Sequence, residues 1–331
     1  MTPVKAVLLD RATGDLSLDE VADPQIGARD VLVRVRAAGL NRADLLARSG
    51  VYTPVDTPIG LEPIVAGLEF AGEVADVGRD VDDLSPGDRV MAMGPGHAEY
   101  VSVPREFLLP VPATYSWADA GASPVGLLTA HDALVTRGRA GPGTSVLIHG
   151  ISTGVGVAAL ALSRVIGCDP ILGTSRTPAK FERLGTGFVP IDTGSGPFEA
   201  VVLDVTEDAG VDVILDTIGG AALSSNVAAA AITARIVQIG RLGGATAELD
   251  LEEVARKRIE LIGVTFRTRT QHERAAIVAA CLEQVGGALA EGRLTPIVEA
   301  TFSLDEVEAA HAALARNEHV GKLVLTINAL P

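Results

Sequence analysis

Over residues 1 to about 120 the apolar positions come in short alternating runs, among them Lys5 to Leu9, Val31 to Val35, Phe70 to Val77 and Arg89 to Ala92. Turns of Gly, Pro and Asp, such as Pro86-Gly87-Asp88, separate them. A period of two broken by closely spaced turn formers predicts an antiparallel β domain. A helical run follows between Ser116 and Arg137. Beyond it come an apolar strand at Val146 to His149, a helix at Val157 to Ile166, a strand ending near Gly173, and strands at Val211 to Leu215, Arg235 to Ile239 and Leu261 to Phe266. Strands alternating with helices predict an open, doubly wound parallel sheet, so the expected class is α/β with two unlike domains. A helix from His272 to Ala290, a Ser303-x-x-Glu306 capping box opening another helix, and a strand after Gly321 complete the pattern.

The first strand of the second domain runs into a glycine-rich turn, Gly150 to Gly156. Glycine suits a bend this sharp, and a side chain would hold a diphosphate away from the helix N-terminus. Gly154-x-Gly156-x-x-Ala159 has the spacing of the dinucleotide fingerprint in its glycine-or-alanine form. Ser152, Thr153, Gly154, Val155 and Gly156 are the candidate diphosphate contacts. About 20 residues on, an NAD site would place a carboxylate against the ribose hydroxyls. This chain has Thr174, Ser175 and Arg176 there, with Lys180 one helical turn later. Hydroxyl, guanidinium and ammonium groups bind a 2′-phosphate that a carboxylate would repel, so the expected cofactor is NADPH. Ligands of such sheets sit outside the carboxyl ends of the strands, which adds Thr217, Ile218, Gly240, Arg241 and Leu242 beside the nicotinamide half.

The same turn fits a competing pattern. Gly150-Ile151-Ser152-Thr153-Gly154 is also G-x-S-x-G, and Asp216 and His311 follow in the order of an α/β-hydrolase triad. The third glycine, the basic pair and the lack of an HGG-type segment upstream favour the dinucleotide over a Ser152 hydrolase.

Composition narrows the rest. A chain of 331 residues is long for one core. At 47% apolar and 21% charged, without a long apolar run or a basic leader, it is expected to be soluble and cytoplasmic, with no membrane partner. A net charge of −15 disfavours nucleic acid. Cys168 and Cys281 are too few for a disulfide framework or a structural zinc site and are expected as buried thiols.

At AAGLNRADLLARSGVY (Ala37 to Tyr52), Gly67 to Val90, HAEYVSVP (His97 to Pro104), the glycine turn, GVDVILDTIGG (Gly210 to Gly220) and HVGKLVLTI (His319 to Ile327), the chain resembles the zinc-independent quinone oxidoreductases of the medium-chain dehydrogenase/reductase superfamily. FRTRT (Phe266 to Thr270) is similar to their p53-inducible branch. The resemblance implies a GroES-like catalytic domain from residues 1–121 and 268–331, and a Rossmann NADPH-binding domain at 122–267. It places Asn41 and Tyr52 beside the nicotinamide as catalytic candidates, with an amide and a phenol able to donate to a substrate carbonyl. Asn41 is also expected to cap the helix starting near Arg42, with Asp44 in its first turn. Thr129, Phe266, Arg267 and Lys322 are carried over as cofactor neighbours. Asp192 departs from the asparagine-tyrosine pair of many relatives, so no adenosine contact is carried over there.

Zinc enzymes of the superfamily carry a cysteine where this chain reads Gly39-Leu40-Asn41 and a histidine where it reads Gly67-Leu68-Glu69. A catalytic zinc needs about three protein ligands, so no metal is expected. Relatives also imply a homodimer through the Leu261 to Phe266 edge. The expected reaction is hydride transfer from NADPH to a quinone or enone. An enoyl-thioester or alkenal reductase is the alternative; a non-catalytic NADPH-binding protein and the serine hydrolase are lesser ones.

Overall fold

The computed structural model describes residues 4–51 and 63–327. Val4–Leu9 (β1) and Leu16–Val21 (β2) pair antiparallel across a turn in which Asp10 Oδ1 accepts from the Ala12 N–H at 2.8 Å. Asp30–Gly39 (β3) follows, then Arg42–Arg48 (α1), Ile64–Val65 (β4), Glu69–Val77 (β5), Arg89–Met93 (β6), Tyr100–Pro104 (β7) and Leu109–Pro110 (β8). The helical run expected from Ser116 is divided into Trp117–Gly121 (α2) and Pro124–His131 (α3), the latter continuing as a π-helical stretch, Asp132–Arg137. Pro124 has no N–H to extend the ladder of α2, so it opens a new helix instead.

Strands and helices then alternate: Val146–Ile148 (β9), Gly154–Ile166 (α4), Ile171–Ser175 (β10), Val189–Asp192 (β11), Phe198–Val205 (α5), Val211–Asp216 (β12), Ala222–Ala229 (α6), Ala230–Gln238 (β13), Leu251–Lys257 (α7) and Glu260–Gly263 (β14). Gln271–Ala290 (α8), Val298–Ser303 (β15), Val307–Arg316 (α9) and Lys322–Thr326 (β16) end the described chain. The edge strand expected over Leu261 to Phe266 is shorter and starts earlier, at Glu260–Gly263. Its neighbour β13 pairs Arg235 through Gln238 with these four residues and then stops, so only the Val264 N–H, bonded to Gln238 O, continues the ladder.

The chain divides into two compact units, one of residues up to Leu128 and from Phe266, the other Thr129–Thr265. In the first, β3 is central: it pairs with β5, β7 and β16 in a sheet ordered β15-β16-β3-β5-β6-β8, and a smaller sheet runs β2-β1-β4. Val31, Val33 and Val35 point alternately from β3 into a core with Phe70, Leu40 and Leu325, all nearly or fully buried. In the second unit all strand pairs are parallel, in the order β11-β10-β9-β12-β13-β14. Counted within this unit, that is the order 3-2-1-4-5-6 of a dinucleotide-binding fold, with its switch point between β9 and β12. Leu147, Leu172, Ile214 and Ile236 from four of these strands fill its core.

Candidate functional site

In the nucleotide-type unit, β9 delivers the chain to Gly150, whose φ of 63° is one glycine adopts without strain. Thr153 then caps α4, its hydroxyl accepting from the Gly156 N–H at 3.1 Å. A Cβ on Gly156 would come within 2.6 Å of the Ile151 Cα, so only glycine lets the helix start this close to the strand. The N-terminus of a 13-residue helix therefore opens directly at the turn, where its unpaired N–H groups and dipole suit a diphosphate. Ser152 is buried. The residues present fit a dinucleotide on these grounds.

At the end of β10, Thr174 and Ser175 are buried; beyond it Arg176 is exposed and Lys180 half-buried. The two hydroxyls are used within the unit. Thr174 Oγ1 accepts from the Gly150 N–H at 3.2 Å and meets His149 Nδ1 at 3.0 Å. Ser175 Oγ accepts from the Thr177 N–H at 3.1 Å. Of the two cations in that set, the Arg176 guanidinium is the exposed one. At the end of β12, the Thr217 hydroxyl donates to His149 O at 3.1 Å, and Asp216 Oδ1 accepts from the N–H groups of Ile218 and Gly219 at 2.7 and 2.8 Å. Gly240, at the end of β13, donates to Asp216 O, while Arg241 and Leu242 are exposed. Thr129 is buried at the start of this unit.

The other unit gathers Asn41, Glu69 and Lys322. The Lys322 ammonium donates to Glu69 Oε1 at 2.5 Å and to Asn41 Oδ1 at 2.7 Å; Glu69 also accepts from Asn41 Nδ2 at 2.9 Å and, through Oε2, from the Val125 N–H at 2.7 Å. Because the ammonium can only donate, the Asn41 oxygen must face it, which turns the amide donors toward Glu69 and Gly39 O. Asn41 is the cap of α1, as expected, and its N–H donates to Asp44 Oδ2 at 2.7 Å. Burial pushes the Asp44 carboxyl up to about 7, against the pull of that N–H and of Lys322. Phe266 and Arg267 are half-buried, and Arg267 Nη1 donates to Val51 O at 3.5 Å. Tyr52, the other catalytic candidate, lies outside the described residues.

Two further histidines are buried in this unit, His97 and His311, with ring centroids 6.2 Å apart. Burial drives them down to about 3 and about 4, so both are neutral at pH 7. Asp216, the hydrolase candidate, is bonded to two backbone N–H groups and to Asn226, not to a histidine. Cys168 and Cys281 are free and buried, pushed up by burial to about 11 and about 12. Among the described residues, no three His, Cys, Asp or Glu side chains are grouped to hold a metal ion, and no helix is long and apolar enough to cross a membrane.

Sequence reasoning passed over His149 and Asn226, and took Glu69 only as a neighbour of a missing ligand. A signal existed for His149: a polar residue closing the apolar strand VLIH, where a buried polar group demands a partner.

Two family models match the chain: an alcohol dehydrogenase GroES-like domain over residues 27–113 and a zinc-binding dehydrogenase over residues 184–325. The chain is 33% identical over 318 residues to a phenolphthiocerol/phthiocerol polyketide synthase of Mycobacterium tuberculosis, covering 94% of this chain but only 14% of that much longer protein. It is 30% identical to the human synaptic vesicle membrane protein VAT-1 homolog, covering 92% of this chain and 80% of that protein. With quinone oxidoreductase-like protein 2 of Mus musculus it shares 27% identity over 98% of this chain and 92% of that one. Among solved structures, the CurK enoyl reductase superposes with a TM-score of 0.85 at 25% identity, over 99% of this chain and 100% of that one.

Proposed function

Because the chain belongs to the medium-chain dehydrogenase/reductase superfamily, among its quinone oxidoreductase-like members, we propose that it is an NADPH-dependent reductase of quinones or related conjugated carbonyls that works without a metal. The superfamily assignment carries nicotinamide dinucleotide oxidoreduction as its class. The preference for the 2′-phosphorylated coenzyme rests on one observation: just beyond β10 the chain carries two cations, Arg176 exposed and Lys180 half-buried, and no carboxylate among residues 174 to 180. When bound, the reduced nicotinamide supplies a hydride.

The protein's own part is to hold and to polarise. The glycine turn and α4 take the diphosphate. Reduction of a conjugated carbonyl places negative charge on its oxygen, which hydrogen-bond donors must meet. Lys322 has three N–H donors, of which Glu69 and Asn41 receive two, and it carries the positive charge of the catalytic-type unit's polar cluster. Tyr52 is the second donor we assign. An ammonium already bonded to Glu69 and Asn41 stands against a zinc ion on those groups, since two cations would compete for one carboxylate. Metal analysis of protein purified without added zinc checks this; one zinc per chain would overturn it.

A second reading has its own support. The polyketide synthase match and the CurK enoyl reductase likeness favour an acyl-thioester enone as acceptor. Loss of NADPH absorbance with quinones, simple enones and enoyl thioesters, assayed side by side, decides between the two. No turnover with any of them would leave only cofactor binding and sink the reductase.

We further propose a cytoplasmic homodimer that pairs β14 with its copy, since β14 closes the parallel sheet with one edge that no other strand pairs among the described residues, and Leu261 is half exposed.

A further inference from the structure

Beneath the carboxyl ends of three adjacent strands lies a buried chain of side chains that the reductase chemistry does not use. Thr174 on β10, His149 just after β9, Asn226 on α6 and Asp216 at the end of β12 are each at most 3% exposed. Thr174 Oγ1 is 3.0 Å from His149 Nδ1, His149 Nε2 is 2.7 Å from Asn226 Oδ1, and Asn226 Nδ2 is 3.0 Å from Asp216 Oδ2. Phe198 packs edge-on against the imidazole, with centroids 4.8 Å apart.

The direction of every bond follows from one end. The Asp216 carboxylate accepts, so Asn226 presents its NH2 there and its carbonyl oxygen to His149. His149 Nε2 must therefore carry a proton. Burial holds the ring's pKa below its ordinary value, against the opposing pull of Asp216 and Asn226, so the ring keeps a single proton. Nδ1 is then a bare acceptor and the Thr174 hydroxyl donates to it. That leaves the Thr174 oxygen to accept from the Gly150 N–H, which is where that N–H points, at 3.2 Å. The donor sequence runs one way, from the Gly150 amide to Asp216. At its far end Asp216 Oδ1 takes the N–H groups of Ile218 and Gly219.

We infer that His149 and Asn226 are positioning residues for the dinucleotide: through this one-way chain they lock the glycine turn and the Asp216–Gly219 turn in a fixed relation across the switch point between β9 and β12. The inference rests on the dinucleotide reading proposed above. Both ends of the chain are backbone N–H groups of turns assigned to the coenzyme, and each link is buried. Loss of any one link therefore strands a polar group and frees a turn. A chain acting as one unit has a distinctive signature: cutting it twice costs little more than cutting it once.

The test has two arms. In the first, nitrogen-15 NMR of the wild-type protein, with His149 assigned by comparison with His149→Gln, is expected to show the neutral Nε2–H tautomer at pH 7. Its Nε2–H resonance is expected to shift on adding NADPH. A proton on Nδ1, or a resonance that NADPH leaves in place, would overturn the inference. In the second, NADPH dissociation constants are measured for Thr174→Val, Asn226→Leu and the double variant. Each single variant is expected to bind about tenfold more weakly, and the double variant also about tenfold rather than about a hundredfold. Independent, multiplying losses, or single variants that bind like wild type, would overturn it; if the variants do not fold, the wild-type NMR arm decides. Wild-type protein that takes up no NADPH at all would instead remove the dinucleotide reading and the positioning role with it, while the tautomer still reports whether the chain exists.

Discussion

Lys322 on β16 reaches Glu69 on β5 at 2.5 Å although β3 lies between their strands. The route passes over Gly39 at the end of β3, where a Cβ would stand 2.7 Å from Gly121 O and 2.9 Å from the Glu69 carboxyl carbon. The missing side chain is what lets the two charges meet inside the sheet. Lys322 is 4% exposed and Glu69 fully buried, so neither charge has water to fall back on.

Removing one partner of such a pair leaves the other uncompensated. Lys322→Met is expected to destabilise the protein by about 3–5 kcal/mol, and Lys322→Met with Glu69→Gln by clearly less. Urea denaturation of both variants measures this; a double variant no more stable than the single would contradict it.

Asp44 gives a pH dependence of known sign. Its carboxyl holds a proton up to about pH 7 in the folded protein, against an ordinary 3.8. The folded state thus binds the extra proton between those values, so the stabilisation is complete below the lower one and is lost as pH rises through the upper. Relative to Asp44→Asn, which keeps an oxygen for the Asn41 N–H, wild type is expected to lose up to about 4 kcal/mol from pH 4 to pH 8. Melting temperatures of the two proteins across that range test it, and parallel curves would refute it.

Coenzyme choice is expected to reside in Arg176 and Lys180. Replacing both by alanine should raise the KM for NADPH about tenfold or more and leave that for NADH within about twofold, since only the extra phosphate loses its counter-charges. Steady-state kinetics with both coenzymes give the answer; equal losses would move the phosphate site elsewhere.

Lys257 closes the end of α6. Its ammonium donates to Val227 O, Ala228 O and Ala230 O at 2.9, 2.8 and 2.8 Å, filling carbonyls the helix leaves unpaired. Lys257→Met is expected to cost about 1–3 kcal/mol in thermal or denaturant unfolding. A neutral result would show that water replaces the ammonium without loss.

For the dimer, light scattering at micromolar concentration is expected to give twice the chain mass, and Leu261→Lys on the exposed edge to shift it toward monomer. A monomeric wild type would remove the proposal.

Much of this protein is written locally. The glycine turn, the alternation of strand with helix, and the caps at Asn41 and Ser303 depend on residues within a few positions of one another, and their backbone geometry follows from that neighbourhood. The division of the Ser116 to Arg137 run and the short span of β14 depended on Pro124 and on where β13 ends, the second of which no local pattern records. The charged and polar clusters belong wholly to the tertiary structure. Lys322 meets Asn41 and Glu69 from 281 and 253 positions away because sheet order brings β16, β3 and β5 together, and His149 finds Asn226 77 positions on because α6 packs against the sheet that holds β9. Residue type states that a buried lysine or histidine must have a partner; only the packed chain decides which one. Burial, set by that packing, is also what moves Asp44 from an ordinary surface acid to a group that keeps its proton near neutrality.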